Sequence, residues 1–194
     1  MIKLKTPISD ADIRKLKVGD TVSLSGIVVT ARDAAHKLMV EERPDFIREA
    51  LKGSVIYHCG PVVRKDAQGN WNFVSAGPTT SAREEPYQST VIGEYGVRGV
   101  IGKGGMGAKT AEGLKKYGAV YFHAVGGAGT LIANSVKKVL TVHKLEEFGT
   151  PEAFWVIEVQ DFPLVVTMDA HGNSLHQEIL DKSKKVAEAL IAAI

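Results

Sequence analysis

A single cysteine, Cys59, stands among 194 residues. That excludes an internal disulfide framework and any metal site built on several thiolates of one chain. Long apolar runs are missing as well: Ala119–Val125 and Phe162–Val166 are strand-sized, far short of the roughly 18 residues of a membrane span. No sign of charge dominates. The 24 basic and 22 acidic residues leave a formal +2, without the basic stripe of a nucleic-acid binder. The opening Met1-Ile-Lys-Leu-Lys5 holds no apolar signal core, so the expectation is a soluble, cytoplasmic protein with neither membrane nor nucleic-acid partners. Hydrophobic residues at 44% and charged residues at 24% are ordinary globular usage, which argues against disorder. Repeats, low-complexity tracts and linkers are absent, and one domain over residues 1–194 is the economical expectation.

Glycine is what the chain has in quantity. There are 20, clustered between Gly93 and Gly129. Val97–Ile101 reads as a strand, Gly102–Gly107 as a loop, and Ala108–Tyr117 as a helix with Lys115 and Lys116 in its last turn and Gly118 as C-cap. A second strand, Ala119–Val125, a loop over Gly126–Gly129 and a helix over Thr130–Val139 repeat the series. Such β-loop-α units predict parallel pairing in a sheet covered by helices. Before them, Ser9-x-x-Asp12 predicts a short capped helix through Lys17, followed by a strand over Thr21–Thr30. Helical sequence over Arg32–Leu51 is broken at Pro44. Ser54–Tyr57 and Trp71–Ala76 read as strands, the latter after a hairpin turn at Asp66–Asn70. Phe154–Val159 and Leu164–Thr167 read as strands, Asp169–Asn173 as a turn, and Ser174–Ile194 as a terminal amphipathic helix. The fold class expected is α/β, a mixed sheet with helices packed on it.

Gly102-Lys103-Gly104-Gly105-Met106-Gly107 satisfies G-x-G-x-x-G between a strand and a helix, where backbone N–H groups meet a pyrophosphate in dinucleotide sites. The acidic residue due at the end of the next strand is missing from Tyr121–Gly127, and Ala108 breaks the Gly-Lys step of a phosphate loop. A packing turn is the plain alternative. A third reading is a small-anion site formed by the helix N-terminus and Lys103. Gly77-Pro-Thr-Thr-Ser-Ala-Arg83 follows another strand. Thr79 or Thr80 there is either a helix N-cap or a hydroxyl presented to a pocket beside Arg83. Arg32 follows a third strand end. Three strand ends thus deliver Arg32, Arg83 and Lys103, an arrangement suited to a dicarboxylate, because guanidinium forks hold carboxylates and lysine adds a point charge. Elsewhere His58-Cys59 has no metal-ligand spacing and reads as core. Asp169–Asn173 reads as a hydrogen-bonded turn. The pairs Glu41-Glu42, Glu84-Glu85 and Glu146-Glu147 read as solvated surface.

Four segments in order, Gly77-Pro-Thr-Thr-Ser-Ala-Arg83, Gly99-Val-Ile-Gly-Lys-Gly-Gly-Met106, Pro151-Glu-Ala-Phe-Trp155 and Asp169-Ala-His-Gly-Asn-Ser-Leu175, resemble the β subunit, or C-terminal domain, of the iron–sulfur class I fumarases and L-tartrate dehydratases. The likeness runs from about Thr6 to Leu175. It implies a β/β/α swivelling fold and a hydro-lyase interconverting (S)-malate and fumarate plus water, with L-tartrate dehydration as the alternative. A non-enzymatic anion- or nucleotide-binding module built on Gly102–Gly107 is the competing class. By the resemblance Thr79 is the catalytic base, and Arg32, Arg83 and Lys103 hold the substrate carboxylates. The [4Fe–4S] cluster belongs to a partner α subunit, in an assembly of two α and two β chains, and this chain alone binds no cofactor and no metal. Glu84-Glu85 and Thr150 depart from the family pattern.

Overall fold

Each central strand buries both faces, and its side chains alternate between two separate cores. The computed structural model describes residues 1–192. The chain opens with β1 (Ile2–Lys5) and α1 (Asp10–Ile13), whose first turn is capped by the Ser9 side chain. Next come β2 (Thr21–Thr30), α2 (Asp33–Glu41), a 3-10 turn at Asp45–Ile47, α3 (Arg48–Leu51) and β3 (Val55–Tyr57). A hairpin of β4 (Val62–Lys65) and β5 (Trp71–Ser75) leads through a second 3-10 turn, Ser81–Arg83, into α4 (Glu85–Tyr95). The glycine-rich series is β6 (Gly99–Gly102), α5 (Ala108–Tyr117), β7 (Val120–His123) and α6 (Gly129–Ala133). Then follow β8 (Val136–His143), α7 (Leu145–Phe148), β9 (Phe154–Met168) and α8 (Leu175–Ala192).

Seven strands form a mixed sheet in the order β1-β2-β3-β6-β7-β9-β8, and β2 also pairs with β9. That extra pairing joins β2, β3, β6, β7 and β9 into a closed ring. From β1 to β7 the neighbours in this sheet are parallel, whereas β9 is antiparallel to β2, β7 and β8. The expected mixed α/β sheet with packed helices is what forms. Side chains of period two divide the interior. Val55, Tyr57, Ile101, Phe122, Trp155 and Phe162 share one core. Their strand neighbours Ile56, Val100, Tyr121 and Val156 share the other with Met39, Leu51, Val91 and Leu114 of the helices. The hairpin brings Trp71 and Phe73 edge-on to Trp155, with ring centroids 5.3 and 5.9 Å away.

Several elements differ from the sequence expectation. The helix expected over Thr130–Val139 ends at Ala133, and the chain continues as β8, because Val136, Val139 and Val142 face β9 from a β-branched run. Phe154–Val159 and Leu164–Thr167 are parts of one strand, β9. Its bend lies at Asp161, with φ 53. There Ser25 Oγ accepts the Asp161 N–H at 3.0 Å and Ser23 Oγ donates to Asp161 Oδ1 at 3.0 Å. Side chains of β2 thus replace ladder bonds where Pro163 has no N–H to give. Helix α4 is foreshadowed in the sequence only by the helix start that Thr79 or Thr80 could cap, and its span is not legible there: its buried apolar side chains, Val91, Ile92 and Tyr95, crowd its second half, so the helical period is faint. The first helix stops at Ile13, short of Lys17. The last helix, α8, holds no buried residue, and the final two residues of its expected span lie outside the described ones. No described helix is long and apolar enough to cross a membrane.

Trp155 is fully buried at the junction of ring and hairpin. Trp155→Ala should therefore lower unfolding free energy by about 3–5 kcal/mol, read as a reduced urea midpoint with an unchanged slope.

Candidate functional site

Parallel strands place their carboxyl ends along one edge, where ligand crevices of α/β sheets lie. Strand β2 runs out into Arg32, β3 into His58 and Cys59, and β6 into Lys103. The Gly77–Ser81 segment crosses this edge. Thr79 N–H donates to the His58 carbonyl at 2.6 Å, Lys103 N–H to the Thr79 carbonyl at 3.3 Å, and Ser81 N–H to the Lys103 carbonyl at 3.0 Å. Main-chain bonds therefore fix Thr79 and Lys103 side by side. Thr79 is half-buried. Thr80 is the N-cap residue of the following 3-10 turn, as one of the two readings of this segment expects, but makes no side-chain cap bond.

Two of the cations, Arg32 and Arg83, meet at the first turn of α2. Arg32 Nε lies 3.3 Å from Glu152 Oε1, while Glu152 Oε2 accepts the Ala34 N–H at 3.0 Å. One carboxylate ties the arginine and the helix start together. Gly60 leaves room for the guanidinium, because a Cβ there would lie 2.6 Å from Arg32 Nη1. Arg83, more than half exposed, pairs with Asp33 Oδ2. The Lys103 side chain runs beside Gly126, whose Cβ would sit 3.5 Å from its Cδ. The structure thus brings Arg32, Thr79, Arg83 and Lys103 to one edge. Sequence reasoning missed Glu152, Asp33 and Gly60, which orient the arginines. The only trace of Glu152 was its place in the Pro151–Trp155 segment, 120 residues from the arginine it holds.

Behind the edge lies a buried polar layer. His58 Nδ1 meets Ser81 Oγ at 2.8 Å, and Ser81 Oγ meets the Tyr121 hydroxyl at 2.9 Å. The Gln88 amide lies 3.0 Å from His36 Nε2 and 2.7 Å from His58 Nε2. Burial lowers the pKa of both histidines and keeps the rings neutral. His36 Nδ1 donates to the Arg32 carbonyl at 2.9 Å. Gly102 admits this layer, since a Cβ there would fall on Ser81 Oγ.

The two glutamates after Arg83 are not solvated surface. Glu84 is fully buried, and burial, aided by a hydrogen bond to Asp33, pushes its carboxyl up to about 8. Glu85 reaches across to α5: its Oε2 accepts the Gly107 N–H at 2.7 Å and the Thr110 hydroxyl at 2.7 Å, and its Oε1 accepts the Thr110 N–H at 3.2 Å. An internal anion therefore occupies the helix N-terminus that the glycine loop was expected to offer a ligand. This overturns the dinucleotide and helix-terminus anion readings of Gly102–Gly107; Gly105 instead packs against His176. Glu41-Glu42 and Glu146-Glu147 are exposed, as expected. Cys59 is a buried thiol pushed up to about 12 by burial. In the Asp169–Asn173 turn, burial would raise the Asp169 carboxyl, but hydrogen bonds from Asn173, His171 and Val18 outweigh it and hold the pKa low.

A family model described as Fumarase C-terminus matches residues 1–179. The chain is 51% identical over 179 residues to a Geobacillus stearothermophilus protein described as "Putative fumarate hydratase class I", covering 92% of this chain and 34% of that one. It is 44% identical over 186 residues to a Methanocaldococcus jannaschii protein described as "Putative L(+)-tartrate dehydratase subunit beta", covering 94% and 93%. Identity to the L(+)-tartrate dehydratase subunit beta of Escherichia coli K12 is 42% over 187 residues, covering 95% and 90%. The chain thus spans about a third of the first relative and nearly all of the other two.

Burial raises the Glu84 pKa from its ordinary 4.5 to about 8, so the folded state holds this proton more tightly than the unfolded chain. The stabilisation is complete below the unfolded value and is lost as pH rises through the folded one. Glu84→Gln should remove that fall. At pH values above about 8 its Tm should exceed that of the parent by a few degrees, on the order of 2–4 °C per kcal/mol recovered, as measured by calorimetry across the range.

Proposed function

The chain belongs to the Fumarase C-terminus family, and on that premise we propose that it is the β subunit of a cytoplasmic hydro-lyase acting on a 2-hydroxy dicarboxylate. The observation that carries this reading is the meeting of one hydroxyl and three cations at a single sheet edge. In the proposal Arg32, Arg83 and Lys103 hold the two carboxylates of (S)-malate, the guanidinium forks supplying paired hydrogen bonds and the lysine a point charge. Thr79 takes the proton from C3 as the C2–O bond breaks, and the departing hydroxyl gains a proton from the partner's side of the site, so that fumarate and water form. In the reverse direction the same oxygen returns the proton.

A threonine hydroxyl is a weak base until another group removes its own proton. Glu84 is unsuited to that task, since it is buried against Asp33 and holds its proton at neutral pH. We assign the activator to a partner α subunit. The family resemblance also calls for a [4Fe–4S] cluster, and the donors of this chain do not fit one. Cluster sites need several thiolates, whereas Cys59 is alone, buried and protonated. The cluster and the activation of the departing hydroxyl are accordingly placed on the partner, in an assembly of two α and two β chains, with residues 1–194 acting as one domain. L-tartrate is the second candidate substrate. It is favoured by relatives that are separate β subunits of about this length.

Arg32→Ala, Arg83→Ala and Lys103→Ala should each weaken malonate binding to the assembled enzyme in calorimetric titrations, and Arg→Lys should rescue poorly because the fork is lost. Unchanged affinity in all three variants would remove the proposed carboxylate cradle.

Thr79→Val should cut turnover of malate or tartrate by about 10²–10⁴-fold while leaving analogue binding in place. The chain purified without its partner should be silent. Dehydratase activity from the isolated, iron-free chain would overturn the assignment, and the ratio of malate to tartrate turnover in the co-purified assembly decides between the substrates.

A further inference from the structure

We infer that Glu84 and Asp33 share one proton, and that this carboxyl–carboxylate pair is a positioning device for Arg83. The inference deepens the proposed function, because Arg83 is one of the cations assigned there to the substrate.

Two glutamate oxygens and one aspartate oxygen are stranded. Glu84 Oε1, Glu84 Oε2 and Asp33 Oδ1 are all enclosed and have no N–H or O–H donor among the described residues. The other oxygen, Asp33 Oδ2, takes the Arg83 guanidinium. Asp33 is also the neighbour that, after burial itself, does most to hold the proton on Glu84, through hydrogen bonding and like charge. Two bare carboxylates so placed would repel each other, and burial would deprive both of water. A single proton removes the conflict. Glu84 O–H then donates to Asp33 Oδ1, which satisfies two of the three orphaned oxygens and leaves one negative charge opposite one guanidinium.

No other group nearby takes over this task. His58, beyond the end of β3, is 3.9 Å from Glu84 Oε2 through Nδ1, but that nitrogen is engaged with Ser81 and burial keeps the ring neutral. Tyr121 of β7 is buried, its hydroxyl on Ser81 and its pKa raised. Arg32 is committed to Glu152. Arg83 itself favours ionisation of Glu84, but burial and Asp33 outweigh it. Glu84 and Arg83 are adjacent in the chain, so the pair locks the 3-10 turn and the start of α2 into one unit. Once Glu84 ionises, a second negative charge enters the pocket. The guanidinium is then drawn between two carboxylates and loses its fixed orientation and its pull on an external anion.

The test is a carbon-detected NMR titration of the full chain with carboxyl-labelled Glu and Asp, from about pH 4 to about pH 10. Glu84 should titrate at about 8. Exchange of the Arg83 Nη2 protons, which face Asp33, should be slow below that pH and fast above it. Glu84→Gln, whose amide donates permanently, should keep the exchange slow throughout. Glu84→Met and Asp33→Asn should make it fast throughout. Ionisation of Glu84 in the ordinary carboxylate range would overturn the inference, and so would parent-like pH dependence in Glu84→Gln or slow exchange in Glu84→Met. In the assembled enzyme the KM for the dicarboxylate should rise several-fold above about pH 8 in the parent and stay flat in Glu84→Gln. The titration and exchange results decide the proton-sharing pair with or without turnover, so a failure of the proposed function shows separately as absent dehydration.

Discussion

The pairing of β2 with β9 is the constraint on which the other features rest. Without it the strands would make an open sheet with β2 and β9 apart. With it the ring closes, an inner core forms, and β2, β3, β6 and β7 direct their carboxyl ends to one edge. Closure also gives β2 and β9 partners for one another, leaving β1 and β8 as the edge strands. It requires a bend. Residues Ser23 and Ser25 on β2 supply it by bonding Asp161, and the register shifts between Leu24 and Gly26. At Gly26 a Cβ would lie 2.4 Å from Thr6 Oγ1, so only glycine lets the N-terminal segment approach this closely.

Closure leaves the outer face to the helices, and the polar layer sits where that face meets the edge. His36 lies on α2, Gln88 on α4, Ser81 in the 3-10 turn and Tyr121 on β7, while His58 follows β3. A buried network of this kind has few alternative arrangements, because each displaced member leaves a partner unsatisfied in a low dielectric. The neutral rings suit this position. A charged imidazolium beside the cationic edge would be repelled by the arginines and the lysine there. The layer thus holds Thr79 and Lys103 through backbone geometry while adding no charge of its own.

Much of this was legible in the sequence. Thr21–Thr30 and Ala108–Tyr117 form as read, and Gly118 ends α5 in the left-handed conformation with φ 69. The convergence of Arg32 and Lys103 could be anticipated because parallel β-loop-α order sets the ends of β2 and β6 on one edge, whereas Thr79 and Arg83 follow the hairpin strand β5, outside that sheet, and reach the edge only because the Gly77–Ser81 segment crosses it. What stayed hidden was long-range. The β-branched run of β8 looks helical until β9 is there to pair with it, and Pro163 looks like a strand terminator until serine side chains replace the missing bonds. The burial of Glu84 could not be read from a run that is charged on both sides. Nor does local sequence announce Glu152, whose value lies in a contact across the fold.

Glu84 and Glu85 show how neighbouring residues of one type acquire opposite chemistry. Adjacent residues at a helix start point in different directions, so one side chain turns toward the start of α2 and the other toward the start of α5. Glu85 meets donors: two N–H groups and a hydroxyl. Such a setting stabilises a carboxylate and uses up the partial positive charge of the helix end. Glu84 meets another carboxyl and little else, a setting that stabilises the neutral acid. The consequence for the sheet edge is additive. With the α5 terminus neutralised by Glu85, attraction for an external anion falls to Arg32, Arg83 and Lys103, and with Glu84 neutral none of that cationic charge is cancelled from within beyond the Glu152 and Asp33 pairs that aim the two arginines. On the proposed reading, anion binding at this edge depends as much on where protons reside on its acids as on the presence of its bases.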